Sequence, residues 1–294
     1  MSYRFVKGEF RLTYQGKMLV RSQPDGDSMW FKPDKPKYLE GIDGRSAEYN
    51  GGGLTQLRFE AIDALEIHYR YANCHQEFGL AKAARKFLLD SVGFTAYDFP
   101  TSSGLQVGNE VPDHIAGWIA TRAIDPYGRP VAFVFSGECP FADGAVEYLK
   151  TSHVKKSFNA KLATEGHAYP AYYASLPWEL REYIDNCVQV ARSGVAGLWG
   201  FDTSGDWNAF AGMTELRESV VWPKLFRRLA EFYNTGGKKL SDFDAWLQAD
   251  EKERDDKIWL RKEDYMVNLH DVIEVKNQKI RMTYEPEGLI VMPT

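Results

Sequence analysis

Leu54-Thr55-Gln56-Leu57-Arg58-Phe59 has the alternating pattern of a strand and runs directly into Glu60-Ala61-Ile62-Asp63-Ala64-Leu65-Glu66. A period of two marks a half-buried strand. The spacing predicts a strand ending near Phe59, with Arg58 close to its end and the carboxylates Asp63 and Glu66 just beyond. Working back from there, Phe10-Arg11-Leu12-Thr13-Tyr14, Lys17-Met18-Leu19-Val20-Arg21 and Ser28-Met29-Trp30-Phe31 read as further strands. Asp25-Gly26-Asp27-Ser28 is a turn between two of them, since Asp and Gly suit turns. From Lys32-Pro33-Asp34-Lys35-Pro36-Lys37 to Gly51-Gly52-Gly53 the chain is loop-rich and long for a hairpin connection.

Working forward, Gln76 to Ser91 carries Phe78, Ala81, Ala84, Phe87 and Leu88 at three- and four-residue steps, and Gly93 is a plausible stop. Strand character from Ile115 to Phe135 surrounds the turn Asp125-Pro126-Tyr127-Gly128-Arg129. Helices are then expected at about Phe141 to Tyr148, Val154 to Glu165 and Pro177 to Ser193. Thr203 to Trp207 is polar and turn-rich, a linker by composition. Beyond it, Trp222 to Tyr233 has Pro223 in its first turn, Leu240 to Gln248 is a second short helix, and Val272 to Met282 reads as a hairpin about Asn277-Gln278.

The 294 residues are 44% hydrophobic and 14% aromatic, enough for a real core and unlike a disordered chain. A net charge of −5 and a pI of about 5.8 argue against a generic DNA-coating protein. No apolar run approaches the roughly 20 residues of a membrane span, and Met1 to Val20 carries Arg4, Lys7, Glu9, Arg11 and Lys17, unlike a signal-peptide core. Cys74, Cys139 and Cys187 are odd in number and fit free thiols. The expected location is the cytoplasm, with no membrane association.

Taken singly, the three polar segments around residues 25–28, 58–66 and 125–130 are ordinary turns and strand ends. Together they place carboxylates on two turns and arginines on two strand ends, the groups that metal-assisted phosphodiester hydrolysis uses. A hard cation takes carboxylate, carbonyl and water oxygens. Attack on phosphorus builds negative charge that arginine forks neutralise, and a carboxylate orients or deprotonates the water.

From about Phe10 to Asp202 the chain resembles the staphylococcal-type thermonucleases, with the matching pieces in chain order. These are Asp25-Gly26-Asp27-Ser28, Leu57 to Glu66, Gln76-Glu77-Phe78-Gly79 with the helix behind it, Tyr127-Gly128-Arg129, the Asn159, Leu162, Glu165 and Gly166 pattern, Tyr172-Tyr173, and Gly197-Leu198-Trp199. The resemblance implies an α+β chain, with a five-stranded OB-fold barrel and packed helices over 1–202 and a small mixed α/β extension over 203–294. Segments 32–56 and 99–117 look like insertions. It implies that Asp27 and Asp63 bind Ca²⁺ through carboxylates and Ala64 through its carbonyl, with Mg²⁺ or Mn²⁺ as alternative metals. Glu66 would hold the attacking water, Arg58 and Arg129 would clamp the phosphate, and Tyr127, Tyr172 and Tyr173 would meet the nucleotide. The implied activity is Ca²⁺-dependent hydrolysis of single-stranded or locally open DNA, and of RNA, leaving 3′-phosphates. Leu65 stands where the family usually has Pro, Ala64 where it has Thr, and Pro126 where lysine is frequent.

A non-catalytic nucleic-acid or protein binding module on the same scaffold is the alternative. His68, Cys74 and His75 fit no standard zinc spacing. Lys150, His153, Lys155 and Lys156 read as a solvated helix face, as do Lys224, Arg227 and Arg228. The extension has enough aromatic surface for a satellite core, expected to pack on the barrel, and offers a place for an oligomeric or regulatory partner.

Overall fold

Tyr3, Phe5, Val6, Gly8 and Phe10 are buried on the first strand, while Arg4, Lys7, Glu9 and Arg11 stay at least partly in solvent. Val6, Gly8 and Phe10 share one face of the strand, and Tyr3 and Phe5, also buried, share the other. In the computed structural model, which describes residues 2–250 and 252–292, five such strands close into a barrel. They are β1 (Ser2–Arg11), β2 (Ser28–Pro33), β3 (Thr55–Phe59), β4 (Ile115–Ile124) and β5 (Pro130–Ser136). Their order is β1-β2-β3-β5-β4, and β1 pairs with β4 to close the ring. Only β3 and β5 run parallel within it; the other pairs are antiparallel. This mixed closed barrel has the strand order of an OB-type fold.

Closure needs backbones to approach closely where β1 crosses its neighbours. Gly8 faces Gly117 in register, and a β-carbon on Gly8 would lie 2.2 Å from the Lys32 carbonyl oxygen. Both faces of the barrel wall bury aromatic rings: Phe10 meets Phe31 and Phe158 on the face of Val6 and Gly8, and Trp118 stacks on Phe135 with centroids 3.8 Å apart on the face of Phe5 and Lys7.

The expected helix at 141–148 does not form. Val146–Tyr148 is a strand pairing with Ser2 to Arg4 of β1, because the left-handed Gly144 turns the chain back along the barrel edge. Val146, Glu147 and Tyr148 all remain exposed, so this segment has no apolar helical face to bury. The other principal helices lie near their expected places: α1 (Phe78–Val92), α2 (Phe158–Thr164), α3 (Trp178–Ser193), α4 (Pro223–Asn234) and α5 (Phe243–Gln248).

The chain divides into two compact units. The first, Met1–Glu60 with Ala83–Leu162, holds the barrel. The second is Ala61–Lys82 with Ala163–Thr294. Its five-stranded sheet is ordered Tyr265–Asn268, Lys257–Leu260, Leu289–Val291, Ala168–Tyr173, Ala61–Ala64. Residues beyond 202 therefore share a sheet with the short strand that carries Asp63. The hairpin Ile273–Lys276 with Lys279–Met282 turns on Asn277 and Gln278, both left-handed as a two-residue hairpin loop requires.

Ala61 opens the Asp63 strand with φ of 71° and is buried. Left-handed backbone costs an L-residue about 1–2 kcal/mol. Ala61→Gly is expected to be near neutral, because relief of that strain offsets the lost methyl burial and the added chain entropy. Ala61→Val, β-branched at the same φ, is expected to lose about 3 kcal/mol. Urea unfolding of both variants checks this; equal midpoints for the two would contradict the strain argument.

Among the described residues, no helix is long and apolar enough to cross a membrane.

Candidate functional site

In the first unit, Arg58 is flanked in register by Ser28 on one side and Val131 on the other. Ser28 follows Asp27 by one residue, and Val131 follows Arg129 by two. The Asp27 carbonyl accepts the Phe59 amide at 3.0 Å. Three segments distant in sequence thus arrive at neighbouring strand ends because the barrel places β2 and β5 on either side of β3. Asp27, Arg58 and Arg129 are all half-buried.

The turn that presents Arg129 is built by Asp125. Its Oδ1 accepts the Tyr127 and Arg129 amides, each at 2.9 Å, an Asx-type turn. Its Oδ2 accepts Nε and Nη2 of Arg129, each at 2.7 Å. Gly128 holds φ of 76°, and a β-carbon there would lie 2.4 Å from Cγ of Glu48. The 32–56 segment braces this turn from outside. Arg45 Nη1 donates to the Pro126 carbonyl at 2.6 Å, and the Glu48 amide donates to the Gly128 carbonyl at 2.9 Å. Tyr127 projects at the turn, 62% exposed, with the Arg129 guanidinium 5.4 Å from its ring centroid.

The sequence places Asp125 in this turn but gives it no role; an Asp opening a Pro-Tyr-Gly turn was the available signal. Asp125→Asn is expected to cost about 2 kcal/mol, since it removes the charge that two guanidinium donors require. Chemical denaturation checks this, and an unchanged midpoint would remove the brace.

Asn159 shows what its sequence pattern does. Fully buried, it donates from Nδ2 to the carbonyls of Glu60 at 2.8 Å and Ala132 at 3.0 Å, and its Oδ1 accepts the Val134 amide at 3.0 Å. It thereby fastens the start of α2 across the parallel β3–β5 seam beside Arg58.

In the second unit, Asp63 and Ala64 are buried and Glu66 is half-buried. Asp63 pairs in register with Tyr169, and Ala64 with Ala168. The Glu66 amide donates to Oε1 of Gln76 at 3.2 Å. Asp63 and Glu66 meet at Arg227 of α4. Its Nη2 lies 2.5 Å from Asp63 Oδ2, and its Nη1 lies 3.1 Å from Asp63 Oδ1 and 2.6 Å from Glu66 Oε1. Despite burial, the two carboxylates hold the guanidinium well above its ordinary range, so it stays charged.

The expected solvated face of α4 is therefore a set of committed cations. Lys224 and Arg228 pair with Asp256 at 2.9 and 2.8 Å. The available signal was three cations on a helix that otherwise buries Leu225, Phe226, Leu229 and Phe232. Tyr172 belongs to the core: its ring is buried and its hydroxyl donates to Asp185 Oδ1 at 2.5 Å, so it presents no face for stacking on a base. Tyr173 is half-buried. Cys74 is buried, with its thiol pushed up to about 11 by burial and by the Glu66 charge.

No group of three or more His, Cys, Asp or Glu among the described residues is arranged to hold a metal ion. The Asp63–Glu66 pair has suitable oxygens for a hard cation, but Arg227 already supplies its counter-charge. In this arrangement the residues do not fit a resident Ca²⁺.

The fold and these residues define an OB-type barrel protein with arginines and an acidic turn-segment at its β2, β3 and β5 strand ends. Comparison with known protein families finds no matching family, and comparison with curated proteins finds no match.

Proposed function

We propose that this chain is a phosphodiesterase of the thermonuclease type that acts on single-stranded or locally open DNA, and on RNA, and leaves 3′-phosphates. The observation that carries the reading is the β2–β3–β5 register, which supports the joint use of Asp27, Arg58 and Arg129 predicted from three separate segments. Planar guanidinium forks suit phosphate oxygens, and two of them offset the charge that builds on phosphorus. Arg129 is pre-oriented by Asp125, so little side-chain freedom is lost when phosphate is engaged. In the proposed reaction Glu66 takes a proton from the attacking water. The water oxygen bonds to phosphorus, the bond to the 5′ oxygen breaks, and the leaving oxygen takes a proton from a second water. Exposed Tyr127 beside Arg129 supports a base-stacking contact.

The alternative, a non-catalytic binding module, draws on the Arg227 pairing, which ties up the carboxylates that hydrolysis needs. Denatured and duplex DNA incubated with the full chain in Ca²⁺, Mg²⁺, Mn²⁺ or chelator, with end-group analysis, separates the two. Cutting of denatured DNA to 3′-phosphate ends is expected. Binding of single strands with no cutting in any metal would leave the binding module.

A further inference from the structure

Arg227 does more than neutralise a surface carboxylate. Its fork takes both oxygens of Asp63 and one of Glu66, and only about a fifth of the side chain is exposed (19%). It is delivered by a helix whose Leu225, Phe226, Leu229 and Ala230 are buried on either side of it in sequence. The segment before α4 is fastened to the segment after Glu66. Buried Gln76 donates from Nε2 to the Val221 carbonyl at 2.8 Å while its Oε1 accepts the Glu66 amide, and the Glu77 amide donates to the Ser219 carbonyl at 3.2 Å. The other two cations of this helix, Lys224 and Arg228, are held by Asp256.

Two carboxylates with one guanidinium carry one net negative charge; a divalent ion on the same oxygens would face the guanidinium at close range. Like charges in a poorly hydrated site repel strongly, and the oxygens that would bind the ion are those the fork already uses. Guanidinium and divalent cation are therefore alternatives at this pair.

We infer that Arg227 is a built-in counter-cation that keeps divalent metal off the Asp63–Glu66 pair, so that metal binds there only when the arginine withdraws. Its consequence for hydrolysis, that Arg227 slows the wild-type rate by competing with metal for the pair, rests on the proposed nuclease reading; the competition for the carboxylates does not.

The test is Ca²⁺ titration by calorimetry, and Tb³⁺ luminescence as a second probe, on the full chain. Wild type, Arg227→Met, Arg227→Lys and the double variant Asp63→Asn/Arg227→Met are compared. Arg227→Met is expected to bind Ca²⁺ at least tenfold more tightly than wild type. The gain should vanish in the double variant and be partial in Arg227→Lys, whose ammonium cannot fork across both groups. Unchanged or weaker Ca²⁺ binding in Arg227→Met would overturn the inference.

Loss of the arginine removes a counter-charge from the Asp63–Glu66 pair, so thermal melts accompany the titrations. Ca²⁺ should raise the melting temperature of Arg227→Met and Arg227→Lys more than that of wild type, because the ion replaces the missing charge; an equal or smaller rise would count against it. DNA hydrolysis by the same proteins separates the two readings. Tighter Ca²⁺ binding without cutting by any variant keeps the counter-cation and removes the nuclease. Cutting by wild type with no gain in Ca²⁺ affinity in Arg227→Met does the reverse.

Discussion

Hydrolysis of denatured DNA is expected to fall about 10²- to 10³-fold when Arg129 is replaced by alanine, and by a similar factor for Arg58→Ala. Each guanidinium would act where charge appears during attack, and a donor fixed in advance is worth more than a mobile one because nothing reorganises at the moment of reaction. Arg129 is fixed in this sense by Asp125, which takes its Nε and Nη2 and shapes the turn through two backbone amides. Arg129→Lys retains the charge but cannot keep both the Asp125 bond and a fork on phosphate, so it is expected to recover only part of the loss. The effect should appear mainly in kcat if the arginines serve the transition state, and in KM alone if they merely bind substrate. Full activity in both alanine variants would remove Arg58 and Arg129 from the reaction.

The second large effect concerns stability. Glu60 is buried, with its carbonyl on Asn159 and its carboxyl near Tyr3 and Arg122. Its Oε2 finds no hydrogen-bond partner among the described residues. Burial pushes its pKa up to about 8 from 4.5, against the opposing influence of the Tyr3 hydroxyl and the Arg122 charge. Below the unfolded value the group is protonated in both states and costs nothing. As pH rises from 4.5 towards 8 the unfolded chain releases the proton while the folded chain retains it, so stability falls throughout that window. The loss is on the order of 4 kcal/mol by the top of it, at about 1.4 kcal/mol for each pH unit by which the pKa is raised. Glu60→Gln removes the titration. It is expected to be a few kcal/mol more stable than the parent at pH 8 and equal to it near pH 4. Urea unfolding from pH 4 to 9 checks this, and parallel pH profiles for the two proteins would contradict it.

Strand and helix existence was largely legible because period-two and period-3.6 patterns depend on which face is buried, and burial selects side chains one position at a time. The 141–148 segment misled because its apolar residues mark an edge strand stitched to β1, and that pairing partner lies far off in the chain. Arg58, Arg129, Asp27, Asp63 and Glu66 are proposed as a set from their order along the chain alone. Their neighbours Asp125 and Asn159 act through hydrogen bonds to backbone groups, which leave little compositional trace. Tyr172 carries the same letter whether it stacks on a base or fills a core; burial against Asp185 decided it.

The sequence by itself determined four of the five barrel strands, the turns at Asp27 and Asp125, and the identity of the charged groups near them, because local geometry and hydrophobic periodicity are written residue by residue; β1 runs from Ser2 to Arg11, where the pattern suggests Phe10 to Tyr14. Only the tertiary structure decided that residues beyond 202 share a sheet with Ala61–Ala64, and that Arg227 closes on Asp63 and Glu66. Charge pairing across more than 160 positions follows from where the helix packs, and no local pattern records the partner of a buried arginine.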